Sequence, residues 1–310
     1  MIILIDAGNT RLKLGWVQPI TGQREVAPLA FPYTGLDQIG AWLHDLPATP
    51  TAAFGVNVAG NAISSRISTR LAANALTINW VNSQRAALNV LNGYDKPEQL
   101  GSDRWVALLG LAQHLERTLP DNRAPAILVS FGTATTIDTL VPKDAAPTRP
   151  GTQDAAVADS SPANPRSTRQ PSGNDKAGTK ENSTGGYTFR GGVILPGPAL
   201  MNSSLAHATA QLPKAQGHSA DYPTHTHQAI ATGIAAAQAG AILRQWMIGL
   251  DVYSQVPRIY ATGGGWPTVK DEVLRLIHTA QARFGLPPAP IEWLDSPVLD
   301  GLACLATSSS

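Results

Sequence analysis

The chain has 310 residues, 43% of them apolar, with a formal net charge of +1. That length suits two domains of roughly 100–200 residues each. A near-neutral charge without a Lys/Arg block argues against nucleic acid or an anionic membrane surface as the main partner. The single cysteine, Cys304, excludes an intrachain disulfide, and in Leu302-Ala303-Cys304-Leu305 it is expected to be a small buried apolar residue.

Met1–Asp6 reads as a short buried strand. It lacks the basic start of a signal peptide, and Asp6 ends the apolar run too early for one. No run approaches the length of a membrane span, so a cytoplasmic protein is expected. A turn at Ala7-Gly8-Asn9-Thr10 leads to a second strand over Leu12–Val17. Leu36–Leu46 and Ala62–Ala75 have helical spacing, and Thr51–Val58 and Leu76–Val81 read as strands. Asp103–Leu115 is expected as a helix, capped by Ser102 or Asp103, with Trp105, Leu108, Leu109 and Ala112 on one face.

Ala126–Leu140 and Tyr187–Leu195 are strand-like. Between them, Val141 to Gly186 contains no Leu, Ile, Phe, Trp or Tyr, and its charges nearly cancel. Such a segment cannot bury enough apolar surface to offset chain entropy, so it reads as a disordered insertion in an oversized hairpin loop. Helices are expected at Pro198–Thr209, at Gln228–Ile248 (Ala/Gly-rich and able to pack closely) and at Thr268–Phe284. Pro257–Ala261 is a strand entering a glycine turn. Strands and helices in alternation predict an α/β fold. The shared strand–glycine-turn–strand openings at Ile5–Gly15 and Val129–Leu140 suggest a duplicated unit.

Three turns carry the chemistry. In Asp6-Ala7-Gly8-Asn9-Thr10-Arg11-Leu12-Lys13, an acid ends a buried strand before a glycine turn. Glycine lets backbone N–H groups approach phosphate oxygens, and Asp6 can hold Mg²⁺ directly or through water. Alone, this pattern also makes ordinary hairpins. Gly132-Thr133-Ala134-Thr135-Thr136-Ile137-Asp138 repeats the plan, and Thr262-Gly263-Gly264-Gly265 offers bare backbone to a nucleotide. There is neither a Walker A motif nor a protein-kinase glycine loop. His218, His225 and His227 lack a further ligand of convincing spacing and read as surface-loop residues rather than a zinc site.

Two facing phosphate hairpins and a later glycine turn resemble the ATP site of the acetate-and-sugar-kinase/Hsp70/actin superfamily. The resemblance implies two ribonuclease H-like domains, 1–124 and 125–310, the second carrying the 141–186 insertion. Asn92-Gly93-Tyr94, Leu100-Gly101-Ser102-Asp103-Arg104-Trp105, Gly191-Gly192-Val193-Ile194-Leu195-Pro196-Gly197, Met201, Leu205 and Thr209-Ala210-Gln211-Leu212-Pro213 narrow it further. Their order resembles the type III pantothenate kinases across nearly the whole chain.

That resemblance implies ATP-dependent phosphorylation of pantothenate to 4′-phosphopantothenate, the entry step to coenzyme A. Asp103 would be the general base. Tyr94, Gly101, Ser102, Asp103, Arg104 and Thr209 would bind pantothenate. Asp6, Gly8, Asn9, Thr10 and Lys13 would hold Mg²⁺ and phosphates, with Gly132, Thr133, Thr135 and Thr136 opposite and Gly263 and Gly264 at the nucleotide. A homodimer with the pocket closed by the partner subunit is implied. Many relatives have an Asp two residues before the second motif's glycine, where it helps bind K⁺ or NH₄⁺. This chain has Ser130 there, so a weakened or absent monovalent-cation dependence is expected. The alternatives are a kinase for another small hydroxyl compound, or a non-catalytic nucleotide-binding regulatory protein; intact Asp6 and Asp103 speak against the latter.

Overall fold

Burial on both faces of short apolar strands sets the architecture. The structure, a computed structural model, describes residues 1–121, 124–148, 186–209 and 211–308. The first half gives β1 (Ile2–Ala7), β2 (Leu12–Val17), β3 (Leu29–Phe31), α1 (Gln38–His44), β4 (Ala52–Asn57), α2 (Asn61–Ala72), β5 (Ile78–Trp80), β6 (Ala86–Ala87), β7 (Val90–Asn92) and α3 (Ser102–Thr118). The second half gives β8 (Ala126–Phe131), β9 (Ala134–Pro142), β10 (Tyr187–Pro196), α4 (Pro198–Ala208), α5 (Thr226–Tyr253), β11 (Arg258–Thr262), α6 (Trp266–Arg283), β12 (Ile291–Trp293) and α7 (Pro297–Ser308).

One sheet runs β3-β2-β1-β4-β5 and the other β12-β11-β8-β9-β10-β7-β6. In the first, β1 lies antiparallel to β2 and parallel to β4. In the second, β8 lies antiparallel to β9 and parallel to β11. Thus β10-β9-β8-β11-β12 repeats the order and sense of β3-β2-β1-β4-β5, the duplicated α/β plan that the paired hairpin motifs suggest. The β6–β7 hairpin precedes residue 124 yet extends the second sheet, because β7 pairs in parallel with β10.

The side-chain period of two distributes the strands over three cores. Ile3, Ile5 and Ala7 of β1 face α1 and α2. Ile127, Val129 and Phe131 of β8 face α5 and α6. The opposite faces, with Ile2 and Leu4 on β1 and Ala126 and Leu128 on β8, close on α3 and α7 between the sheets. Every residue from Arg104 to Ala112 is therefore buried, not only the one face expected of α3.

Several expectations need correction. Gly101 precedes α3, and neither Ser102 nor Asp103 caps it; both sit in its first turn. Val141 and Pro142 belong to β9, and Val141 is buried, so the second hairpin's strand runs two residues past the expected end at Leu140. Thr148 is tied to α5 by its N–H to the Val252 carbonyl, 2.8 Å. The rest of the expected insertion, 149–185, lies outside the described residues. Within this chain, α5 packs closely through Ala235 and Ala239 and through Gly249 against Pro257, while Gly233 and Gly240 face open space. Cys304 is half-buried on α7 rather than buried. His225 caps α5 and His227 lies in its first turn, so neither belongs to a loop. Among the described residues no helix is long and apolar enough to cross a membrane.

Candidate active site

The C-terminal ends of β1, β8 and β11 and the starts of α3, α4, α6 and α7 surround one cavity of about 900 Å³. All three glycine turns reach it. The first turn closes on a Gly8 N–H bond to the Arg11 carbonyl, 3.1 Å, and Tyr33 Oη donates to the Gly8 carbonyl from outside. Asp6 follows Ile2 and Leu4 on the inner face of β1 and pairs across the strands with Lys13. Burial pushes its carboxyl up to about 6; Lys13 opposes the rise, and Asp103 adds to it.

The second turn repeats this geometry, with a Gly132 N–H bond to the Ala134 carbonyl, 3.0 Å. Ser130 stands on β8 where Asp6 stands on β1, and its cross-strand partner is Thr136 where Asp6 has Lys13. One hairpin thus presents a carboxylate and an ammonium group, and its duplicate presents two hydroxyls. The third turn lies against the end of β8, where the Gly265 N–H meets the Phe131 carbonyl at 2.9 Å. Gly263 has φ +96, and a Cβ there would fall 2.6 Å from that carbonyl; only glycine serves at this position.

Asp103 faces the first turn from α3. Its Oδ1 accepts the Arg104 N–H at 2.8 Å, and Gly101 leaves room for that oxygen, since a Cβ at Gly101 would approach it to 2.8 Å. Burial raises the Asp103 carboxyl above the usual range, and the Arg104 contacts partly offset this. Two desolvated carboxylates therefore share a cavity with Lys13. Oxygen donors short of positive charge fit a hard divalent cation bound with water and phosphate oxygens, so the residues present are compatible with Mg²⁺.

The match to the type III pantothenate kinase family covers residues 2–146 and 183–247. This chain belongs to that family. Relatives called type III pantothenate kinase include one from Bordetella bronchiseptica, 46% identical over 308 residues, with 99% of this chain and 97% of the relative covered. One from Bordetella pertussis is 46% identical over 312 residues, with 100% and 99% covered. One from Leptothrix cholodnii is 33% identical, with 98% and 96% covered. Among solved structures, the inorganic polyphosphate/ATP-glucomannokinase of Arthrobacter sp. strain KM is similar at 11% identity, covering 100% of this chain and 99% of that one, with a TM-score of 0.41.

Of the residues that the type III pantothenate kinase resemblance implicates, the cavity gathers Asp6, Gly8, Asn9, Thr10, Lys13, Asp103, Arg104, Gly132, Thr133, Thr136, Gly263 and Gly264. Thr135 is fully buried beneath the second turn and does not line the cavity. Tyr94, Gly101 and Ser102 stand behind the lining; Tyr94 Oη accepts from Arg104 Nη1 at 3.3 Å. Thr209 ends α4 at an exposed position, bonded to the Leu205 carbonyl at 2.7 Å. Sequence reasoning missed Tyr33, Ser296 and Lys214, all carried by short or irregular segments. Lys214 reaches the cavity on a loop pinned by reciprocal bonds between Asn202 and the Ala215 backbone, 2.7 and 2.9 Å.

Proposed function

We propose that this chain transfers the γ-phosphoryl group of ATP to the primary hydroxyl of pantothenate, giving 4′-phosphopantothenate, the first step of coenzyme A biosynthesis. The observation that carries the reading is Asp103 facing Asp6 across a cavity that the three glycine turns enclose, in a chain of this family. The glycine turns offer backbone N–H groups to the phosphates. Lys13 supplies fixed positive charge beside Asp6, which would hold Mg²⁺. When bound, that ion neutralises charge on the phosphates. Asp103 accepts the proton of the attacking hydroxyl, a role that suits a carboxylate made more basic by burial.

The same reading divides the chain near residue 124 into two ribonuclease H-like units, with β6–β7 and α3 reaching from the first into the second. It places the protein in the cytoplasm and makes it a homodimer. Support for the dimer comes from α5, where Gly233, Ala236, Ala237, Gly240, Met247 and Ile248 are exposed at helical spacing together with Arg244; Ile194 (61%) and Leu200 (44%) are also exposed. Small residues let a second backbone approach closely, and a patch of this kind marks a contact surface. Thr209, at the open end of α4, would then serve the partner's pocket.

A coupled ADP-release assay with ATP, Mg²⁺ and pantothenate on purified protein tests the reaction. Pantothenate-dependent ADP release supports it. Nucleotide binding without pantothenate-dependent release would favour another acceptor or a regulatory role.

A further inference from the structure

Arg104, one residue beyond Asp103, does not point freely into the cavity. Its Nε meets Asp138 Oδ2 at 3.1 Å and its Nη2 meets Asp138 Oδ1, a bidentate pair with side-chain exposures of only 9% and 2%. The guanidinium carbon lies 5.9 Å from the Tyr94 ring centre and 6.0 Å from that of Phe189, so the cation also rests against these two rings, which pack on each other at 5.3 Å.

The sheet is built around this pair. Asp138 sits in the middle of β9, opposite Gly192 of β10. A Cβ at Gly192 would fall 2.2 Å from Asp138 Oδ1 and 3.1 Å from Arg104 Nη2. Just before it, β10 advances from Phe189 to Gly192 while β9 moves only from Leu140 to Asp138, a bulge that Gly191 turns at φ +109. The bulge and the missing side chain make the space that the two charged groups occupy.

We propose that Asp138 is a positioning residue for phosphoryl transfer: it locks the Arg104 guanidinium and thereby ties the first turn of α3, which presents Asp103, to the sheet that carries the second phosphate turn. This rests on the functional reading above. A buried ion pair is a poor stabilising device, because desolvation offsets most of the attraction. It is an effective directional clamp, since the fork of arginine accepts a carboxylate in one orientation. Through it, the base on α3 and the phosphate turn after β8 keep one relative geometry, and misplacement of a reacting group is costly to turnover.

The test measures Asp138→Asn, Arg104→Lys and their double variant, with Gly192→Ala as a charge-neutral way of displacing the pair. Asp138→Asn is expected to lower kcat by about ten- to a hundredfold, the scale of a lost charge-assisted bidentate contact. Its affinity for a fluorescent ATP analogue should stay within about twofold of wild type on this account. The double variant should be no worse than the weaker single variant, because both break one unit. Gly192→Ala should reproduce the kcat loss, and it carries the test if Asp138→Asn does not fold. Unchanged kcat in a folded variant would overturn the proposal, as would equal losses in kcat and nucleotide affinity, or losses that multiply in the double variant. A wild type inactive on pantothenate would overturn the functional reading instead.

Discussion

Asp6 illustrates how a single residue's environment decides its chemistry. It is 8% exposed, and burial is the main reason its carboxyl rises from 3.8 to about 6. Because the folded pKa exceeds the unfolded one, the folded state holds the extra proton. The associated stability is complete below pH 3.8 and is lost as pH rises through about 6. In metal-free, nucleotide-free protein, Asp6→Asn is therefore expected to stabilise by up to about 3 kcal/mol at pH 8 and hardly at all at pH 4, while abolishing turnover. Thermal melts at the two pH values check this, and equal shifts at both would contradict it. Ser130 gives the second residue-scale expectation. A hydroxyl pair, Ser130 with Thr136, offsets little of a cation's desolvation, so replacing K⁺ by a tetraalkylammonium ion should change kcat by less than about twofold, well below the scale of one lost contact to a charged group. A strict K⁺ requirement would contradict it.

Elements long enough to show a period were legible, and those set by tertiary contact were not. β2 has the span read from its alternation, and α3, α5 and α6 lie within a few residues of theirs. β3, β7 and β12 are three residues each and β6 only two, too short for periodicity to register, whereas β5 keeps Ile78–Trp80 of the strand expected over Leu76–Val81. Helix α7 went unread because only Asp300, Thr307 and Ser308 are polar among its twelve residues, a sparse pattern beside so much Leu, Ala and Gly. Its reason is visible only in the fold: Gly110 of α3 faces the Pro297 carbonyl, and Gly301 of α7 faces the Val106 carbonyl, so that added Cβ atoms would fall 2.2 and 2.0 Å away. The two helices thus meet backbone to backbone. Gly301→Ala is expected to cost about 1–3 kcal/mol through overpacking, read by denaturant unfolding; a cost under about 0.5 kcal/mol, the level of an ordinary surface substitution, would show that the helices separate freely. In the site, the three glycine turns were legible because phosphate chemistry demands glycine and hydroxyl residues close together in sequence. The Arg104–Asp138 pair joins residues 34 apart, and no local pattern announces such a partner.

At the scale of the whole molecule, two sheets of like topology sandwich α3 and α7, and the cavity opens where the duplicated hairpins face each other. Duplication explains why Asp6 and Ser130 are equivalent in place; they differ in charge, so only the first hairpin offers a carboxylate to the cavity. Gly240→Arg on the exposed face of α5 should shift the sedimenting species from dimer to monomer and reduce turnover with it, whereas an unchanged species would move the interface elsewhere. Mass-spectrometric detection of the acceptor after incubation with ATP and Mg²⁺, for wild type and Asp103→Asn side by side, tests the proposed reaction. Wild type is expected to give phosphorylated pantothenate and the variant a rate lower by about 10²–10⁴-fold, with nucleotide binding retained. Unmodified pantothenate from an ATP-binding wild type, or near-normal product from the variant, would contradict it.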